Sequence, residues 1–377
     1  MELIKGIKYS DCTGCGACAQ ICPKNAIKMQ CVDNFRYPQV DTALCTSCGL
    51  CQKKCPVINI KPSQNIKAVY CGRAKDAELV KKSSSGGAFS LFADEIIKSG
   101  GVVFGAVFDS EKKKIKISST EKNSLDDLRR SKYCESDSEK SFIEAKRLLD
   151  DGKNVLFCAM PCQIAGFKHF LGKDYENLIA VDFICGGAAS SKFFEEHLNY
   201  LEKKYQSNVK AVNFRPKLYG WKTHSFQVSF KNGKEYKTYA YLDTYFRGFV
   251  YEHIITRNSC EECKFRSNHY SDIILADFWG YRQLKRNVDD KGLSLIISNS
   301  EKGDDLIKKI SSASEIEKIP GEYADYVFKK QKKHTYIRQE FFDTFKKYGF
   351  EKAAKKVYMK GCIRFRLKTF IKRILQK

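Results

Sequence analysis

The sequence predicts three regions in order: a small α+β module, a layered α/β domain and a helical C-terminal region. Three observations carry this expectation. Two cysteine runs of the same spacing crowd the first 60 residues. From about residue 67 to 300, apolar strand-type runs alternate with amphipathic helical segments, the order that builds a parallel, layered α/β core. From about 302 the chain turns to lysine-rich helical periodicity. At 377 residues it can bury two or three domain cores. Its 43% hydrophobic and 13% aromatic content is globular, not disordered. No apolar run reaches the ~18 residues of a membrane span, and "MELIKGIKYS" lacks the apolar core of a secretory signal, so a cytoplasmic protein is expected.

The first module rests on "DCTGCGACAQICPKNAI", from residue 11, and "CTSCGLCQKKCPV", from Cys45. Cys12, Cys15, Cys18 and Cys22 precede Pro23 as Cys45, Cys48, Cys51 and Cys55 precede Pro56, each run reading C-x2-C-x2-C-x3-C-P. Seventeen cysteines without a signal point to metal or redox chemistry, because a cytosol keeps thiols reduced. Three thiolates two residues apart wrap one cubane cluster from a tight loop, and the fourth, beyond the proline turn, reaches the neighbouring cluster. Cys12, Cys15, Cys18 and Cys55 then serve one cluster, and Cys45, Cys48, Cys51 and Cys22 the other. Gly14, Gly16 and Gly49 suit loops that fold too tightly for a side chain. A zinc ribbon uses two C-x2-C pairs and leaves the remaining cysteines and both prolines unexplained. Residues 5 to 60 resemble the bacterial two-cluster ferredoxins, so residues 1–60 are expected to form a ferredoxin-like domain with two 4Fe-4S clusters.

Residues 59 to 68, with Pro62, read as a linker. Ser83 to Ser85 with Gly86 and Gly87 open a helix carrying Ala88, Leu91, Phe92, Ile96 and Ile97, which stops at Gly100-Gly101. Such a loop is either a plain helix cap or a cradle for phosphate. "VVFGAVF" is of strand type. A helix at about 138 to 150 leads to "NVLFCAMPCQIAGFKHFLG", a buried strand, a turn at Met160-Pro161 and a helix. "LIAVDFICGG" is a second buried strand, followed by a helix that Ser190 or Ser191 caps. Ligands gather at the C-terminal ends of such strands, where Cys162 and Cys185 lie. Residues 210 to 246 alternate polar with apolar around the turn "KNGK", a β-hairpin pattern. Cys260 and Cys263 stand in C-x2-C spacing before another strand, "SDIILADFWG". No G-x-G-x-x-G is present, so a dinucleotide fingerprint is not supported.

"SSGGAFS", "GGVVFGAVFD", "RRSKYCESD", "MPCQIAGFK", "VDFICGGAAS", "FRPKLYGW" and "SCEECKFRSNHYSDIILADFWG" follow one another as in the coenzyme F420 hydrogenase/dehydrogenase beta-subunit family, which the chain resembles from about residue 5 to 300. That resemblance implies a flavin-binding domain over residues 67–300 with FAD and a third 4Fe-4S cluster beside it. Cys162, Cys185, Cys260 and Cys263 would hold the cluster. Ser84, Ser85, Gly86 and Gly87 would contact FAD, with Ser131, Lys132 and Tyr133 nearby. The implied activity is an iron–sulfur flavoprotein oxidoreductase, moving electrons between a ferredoxin or another redox protein, the clusters, FAD and a small-molecule acceptor such as coenzyme F420. Two departures set this chain apart: Cys185-Gly-Gly-Ala-Ala-Ser replaces the usual "CHGVPS", and Cys134 stands where an aliphatic residue is usual. Both bear on the acceptor.

Cys31, Cys71, Cys134, Cys158 and Cys362 remain outside these sets. Cys31, Cys71 and Cys158 are expected as small buried residues, although Cys158 or Cys134 would also suit a disulfide or thiol reductase. His224 and His269 are candidate proton donors. Residues 301–377 are expected to be a helical, basic extension, ending in "GCIRFRLKTFIKRILQK". That segment would either close the core or dock on an anionic membrane surface at its inner face, or on an acidic partner. The charge of +23 comes mostly from dispersed lysines, so no specific nucleic-acid binding is expected. A non-catalytic electron-relay subunit of a larger redox complex is the alternative to an enzyme.

Overall fold

In the computed structural model, which describes residues 3–61, 66–282, 288–329 and 335–359, the two cysteine runs fold as near copies. The loop from Cys12 leads into α1 (Ala17–Ile21), and the loop from Cys45 leads into α2 (Leu50–Lys53). Gly16 and Gly49 cap these helices at φ 85° and 74°, a left-handed backbone that a Cβ would strain. Between the runs, β1 (Ile27–Val32) and β2 (Phe35–Val40) form an antiparallel hairpin. Its two turn residues, Asp33 and Asn34, are both left-handed, the turn geometry that matches strand twist.

The remaining chain is built on a nine-stranded mixed sheet. Along the sequence come β3 (Ala68–Ala74), α3 (Ala77–Lys81), α4 (Ala88–Lys98), β4 (Val102–Asp109), β5 (Lys114–Ser119), α5 (Leu125–Leu128) and β6 (Ser136–Asp137). There follow α6 (Ser141–Asp150), β7 (Val155–Cys158), α7 (Pro161–Leu171), β8 (Leu178–Phe183) and α8 (Ser191–Tyr205). A separate antiparallel sheet of β9 (Val209–Asn213), β10 (Ser225–Phe230) and β11 (Glu235–Tyr239) precedes α9 (Thr244–Val250). The chain returns to the large sheet with β12 (Ile273–Asp277), β13 (Ser294–Ser298), α10 (Glu301–Lys309) and β14 (Ser314–Ile319), and then runs through α11 (Thr335–Tyr348) and α12 (Phe350–Val357).

The large sheet runs β14-β3-β13-β12-β8-β7-β4-β5-β6. Only its centre, β12-β8-β7-β4, and the small β5-β6 pair are parallel; β14, β3 and β13 join antiparallel, as do β4 and β5. The parallel core expected from sequence forms the centre of the sheet, and antiparallel strands extend it on both sides. Parallel neighbours need a crossover, and residues 110–113 between β4 and β5 are too few to make one. Alternation along β7 shows the layering. Val155 and Phe157 pack with α6 and α7, while Leu156 packs with α4 and α10 on the other face.

The helical extension expected from residue 301 also starts later. Residues 301–319 supply α10 and β14, and β14 pairs with β3 from Ser314 against Ala74 to Ile319 against Val69. Helices α11 and α12 then close an aromatic core with α8 and α9 through Phe193, Phe341, Phe350 and Tyr358. The basic segment from Gly361, with Cys362, lies outside the described residues. No helix among the described residues is long and apolar enough to cross a membrane.

Candidate functional site

Cys12, Cys15 and Cys18 from the first run, all buried, meet buried Cys55 from the second around one cavity. Ile4, Ile7, Met29, Pro38 and Val57 complete its walls. The fourth thiol thus comes from the opposite run. In the other set, Cys45 and Cys48 are exposed and Cys22 and Cys51 half-buried, with Cys45 and Cys48 close enough to Cys51 to raise its thiol further after burial.

The third set is assembled by the α/β domain. Pro161 opens α7 at a position where its missing N–H costs nothing, which places Cys162 in the first helical turn. Cys185 follows β8, and Cys260 and Cys263 lie in the loop before β12. All four line one cavity of about 570 Å³ of empty space. Backbone N–H groups already point at two of the sulfurs, Gly187 to Cys185 Sγ at 3.3 Å and Ala188 to Cys260 Sγ at 3.2 Å. Thr13 and Ser259 line the same cavity with buried hydroxyls that have no hydrogen-bond partner. Burial pushes the Cys185 thiol up to about 12 and the Cys260 thiol up to about 11, so these sulfurs would carry charge only if a bound metal displaced their protons. Among the described residues no three His, Cys, Asp or Glu side chains converge to hold a single ion. Four thiols and two spare donors ranged round a cavity fit an iron–sulfur cluster better than a lone zinc ion.

The thiol sets are close neighbours. Cys15 packs on α7 at Gly166, where an added Cβ would stand 2.9 Å from Cys15 Sγ. Gly166 is one turn beyond Cys162 on the same helix face. Thr13 lines both cavities. The cysteine module is held there by Ser138 Oγ donating to the Cys15 carbonyl at 3.1 Å and by Ser190 Oγ, the cap of α8, donating to the Asn34 carbonyl at 2.6 Å.

Beyond the third set opens a larger cleft of about 1330 Å³ of empty space. Ser84, Ser85, Gly87, Ser131, Lys132 and Tyr133 all line it, beside Cys134, Cys158 and Asp277. Gly86 does not line the cleft. It packs against β3 and β13, where a Cβ would stand 2.5 Å from the Gly72 carbonyl oxygen. The Ser/Gly loop caps α4 through Gly87 at φ 94°, and Ala88, Phe89 and Ser90 of the first turn, whose N–H groups have no partner within the helix, line the cleft. Ser131 N–H donates to Ser84 Oγ at 2.8 Å and ties the two predicted segments together. Burial and the neighbouring Arg130 pull Lys132 down to about 7, while its ammonium donates to the carbonyls of Asp127 and Arg129. Met160, Ile184, Cys185 and Gly187 line both this cleft and the third thiol cavity.

Sequence reading missed the polar frame behind the cleft. Buried Arg215 donates to the Tyr133 hydroxyl at 3.1 Å and to Asp277 at 3.0 Å, and Asp277 also accepts from Trp221 Nε1 at 2.9 Å. Lys217 donates to the Ser85 and Val80 carbonyls at 2.8 Å each.

Among the leftover cysteines, Cys71 is buried and Cys158 is half-buried, but Cys31 is exposed on β1, contrary to expectation. It stands near the Asp33-Asn34 turn, where the face that buries Ile27 runs out to solvent. Burial raises the Cys134 thiol and pushes Cys158 up to about 12, the opposite of what a thiolate nucleophile needs. His269 has both ring nitrogens engaged, by Asp182 at 2.9 Å and the Arg266 carbonyl at 3.1 Å, and lines the third thiol cavity. His224 is half-buried near Arg215 and pulled down to about 4, first by burial and then by that charge, so it is neutral near pH 7.

Residues 152–322 match the C-terminal family of the coenzyme F420 hydrogenase/dehydrogenase beta subunit, and residues 11–59 match the 4Fe-4S dicluster domain. Both are the assignments that the sequence resemblance gave. No curated protein matches the chain. Among solved structures, one chain from the F420-reducing NiFe hydrogenase complex of Methanosarcina barkeri is similar at 17% identity, covering 76% of this chain and 91% of that chain, with a TM-score of 0.45.

Proposed function

We propose that this iron–sulfur protein, with its N-terminal dicluster domain and its coenzyme F420 hydrogenase/dehydrogenase beta-subunit segment, is an FAD-dependent oxidoreductase that carries electrons along three clusters. One observation carries the reading: the sites share walls. Thr13 joins the inner thiol cavity to the third, and Met160, Ile184, Cys185 and Gly187 join the third to the cleft. Electron transfer needs such proximity and little else from the protein.

An FAD in the cleft would take up electrons singly and give them up as a pair, which couples cluster chemistry to hydride chemistry. The chain's own residues prepare for it. The α4 N-terminus would offer N–H donors and Ser84 a hydroxyl donor for phosphate, and Arg130 adds positive charge at the same rim. Arg215 fixes the Tyr133 hydroxyl and Asp277, so both hold their orientation when a ring enters. The exposed Cys45 and Cys48 make the outer set the place where a ferredoxin-like donor delivers electrons. The raised Cys158 and Cys134 thiols argue against disulfide chemistry.

Rapid mixing of anaerobically purified protein with a reduced bacterial ferredoxin, followed by flavin absorbance, tests the reading. Flavin reduction in the wild type and its loss in Cys260→Ser are expected. Undiminished flavin reduction in Cys260→Ser would overturn it, and a purely relaying subunit would consume no small-molecule acceptor by itself.

A further inference from the structure

Arg257 is buried at 1% exposure between the inner and third thiol sets. It lies three residues before Cys260, and its guanidinium reaches back into the cysteine module. Nη2 donates to the Arg36 carbonyl at 2.7 Å and to Glu135 Oε2 at 2.6 Å; Nη1 faces the Cys12 carbonyl at 3.5 Å. The group lies over the rings of Tyr37 at 4.6 Å and Phe35 at 5.5 Å. Gly14 leaves room for it, since a Cβ there would stand 2.7 Å from Nη2. Glu135, itself buried, is fixed from behind by Ser191 Oγ at 2.8 Å.

A buried ion pair of this kind is a weak source of stability, because desolvation offsets most of the attraction. Its field is another matter. Inside a protein the effective dielectric is far below that of water, so a fixed charge acts strongly on neighbours. Its guanidinium faces the Cys12 carbonyl, and its own carbonyl accepts from Cys260 N–H at 3.0 Å. One cationic residue therefore touches one ligand of each of these two sets.

We infer that Arg257 is a positioning residue that seats the first cysteine loop on the α/β domain and sets the reduction potentials of the two buried clusters together, with Glu135 opposing it. Reduction adds an electron to a cluster, so a nearby cation favours the reduced state and raises the potential, and a nearby carboxylate lowers it. The inference rests on the proposed reading of the third site as a cluster.

The test uses full-length protein purified without oxygen, with iron counted and each cluster titrated by paramagnetic resonance. In Arg257→Met, with iron at the wild-type level, the two buried clusters are expected to shift to lower potential by at least tenfold in the reduction equilibrium, about 59 mV for one electron. Arg257→Lys is expected to restore most of that shift. Glu135→Gln, which spares Arg257 and covers the case that Arg257→Met does not fold, is expected to move the same two clusters upward. The outer cluster should stay put in all three variants. Full iron with unchanged potentials, or an equal shift at all three clusters, would overturn the inference. Wild-type iron of about eight atoms per chain, the content of two four-iron sites, would instead overturn the third-site reading and the joint control with it.

Discussion

Cys260 and Cys158 both border cavities, yet Cys260 alone faces three other cysteines. Replacing Cys260 by Ser is expected to remove one cluster, lowering iron from about twelve to about eight atoms per chain, whereas Cys158→Ser leaves iron unchanged. Iron and sulfide assays decide this; equal iron in the two variants would contradict the assignment. The ferredoxin ligands could be read directly, because the repeat states its own spacing. Arg257, Arg215 and Asp277 could not, since their partners lie far off in sequence and nothing local marks a buried ion pair. His197 makes a second residue-scale case. Burial opposes its charge, but Asp243 at 2.9 Å and Glu351 at 2.6 Å outweigh burial and raise it to about 10. An unfolded histidine titrates near ~6.5. The stabilisation is therefore complete below that pH and fades as pH rises through about 10. Denaturant unfolding from pH 6 to 10.5 should show stability falling across this window, and His197→Gln should flatten the slope; identical slopes would contradict the linkage.

At the scale of elements, α7 does two things at once. Its first turn supplies Cys162, and four residues on, Gly166 accepts Cys15. Gly166→Val would push a branched side chain into the Cys15 sulfur, and overpacking of this sort costs about 1–3 kcal/mol. Lower unfolding stability is expected, with the cysteine module cleaved by protease before the α/β domain; wild-type stability would show that the contact is slack. Strands and helices from residue 67 to 300 were largely visible in apolar periodicity, down to the caps at Ser190 and Gly87. Strand direction was legible only at the parallel centre. Periodicity gives faces and lengths, but β14 joins β3 across more than 200 residues, and that pairing depends on the edge left open by the rest of the sheet.

For the whole molecule, the inner thiol set, the third set and the cleft share walls in succession, and the net charge of +23 gives the chain a long-range attraction for acidic partners. Reduction by an acidic ferredoxin should slow several-fold between low and physiological ionic strength, as the ~8 Å Debye length screens steering at 0.15 M salt. A rate indifferent to salt would place the donor's contacts elsewhere. The central claim, however, is compositional. Anaerobic purification of the wild-type chain, with iron, acid-labile sulfide, zinc and flavin counted on one sample, tests it most directly. Three clusters leading to one flavin require about twelve irons and one FAD per chain. Zinc in place of iron, or about eight irons with no flavin, would contradict it.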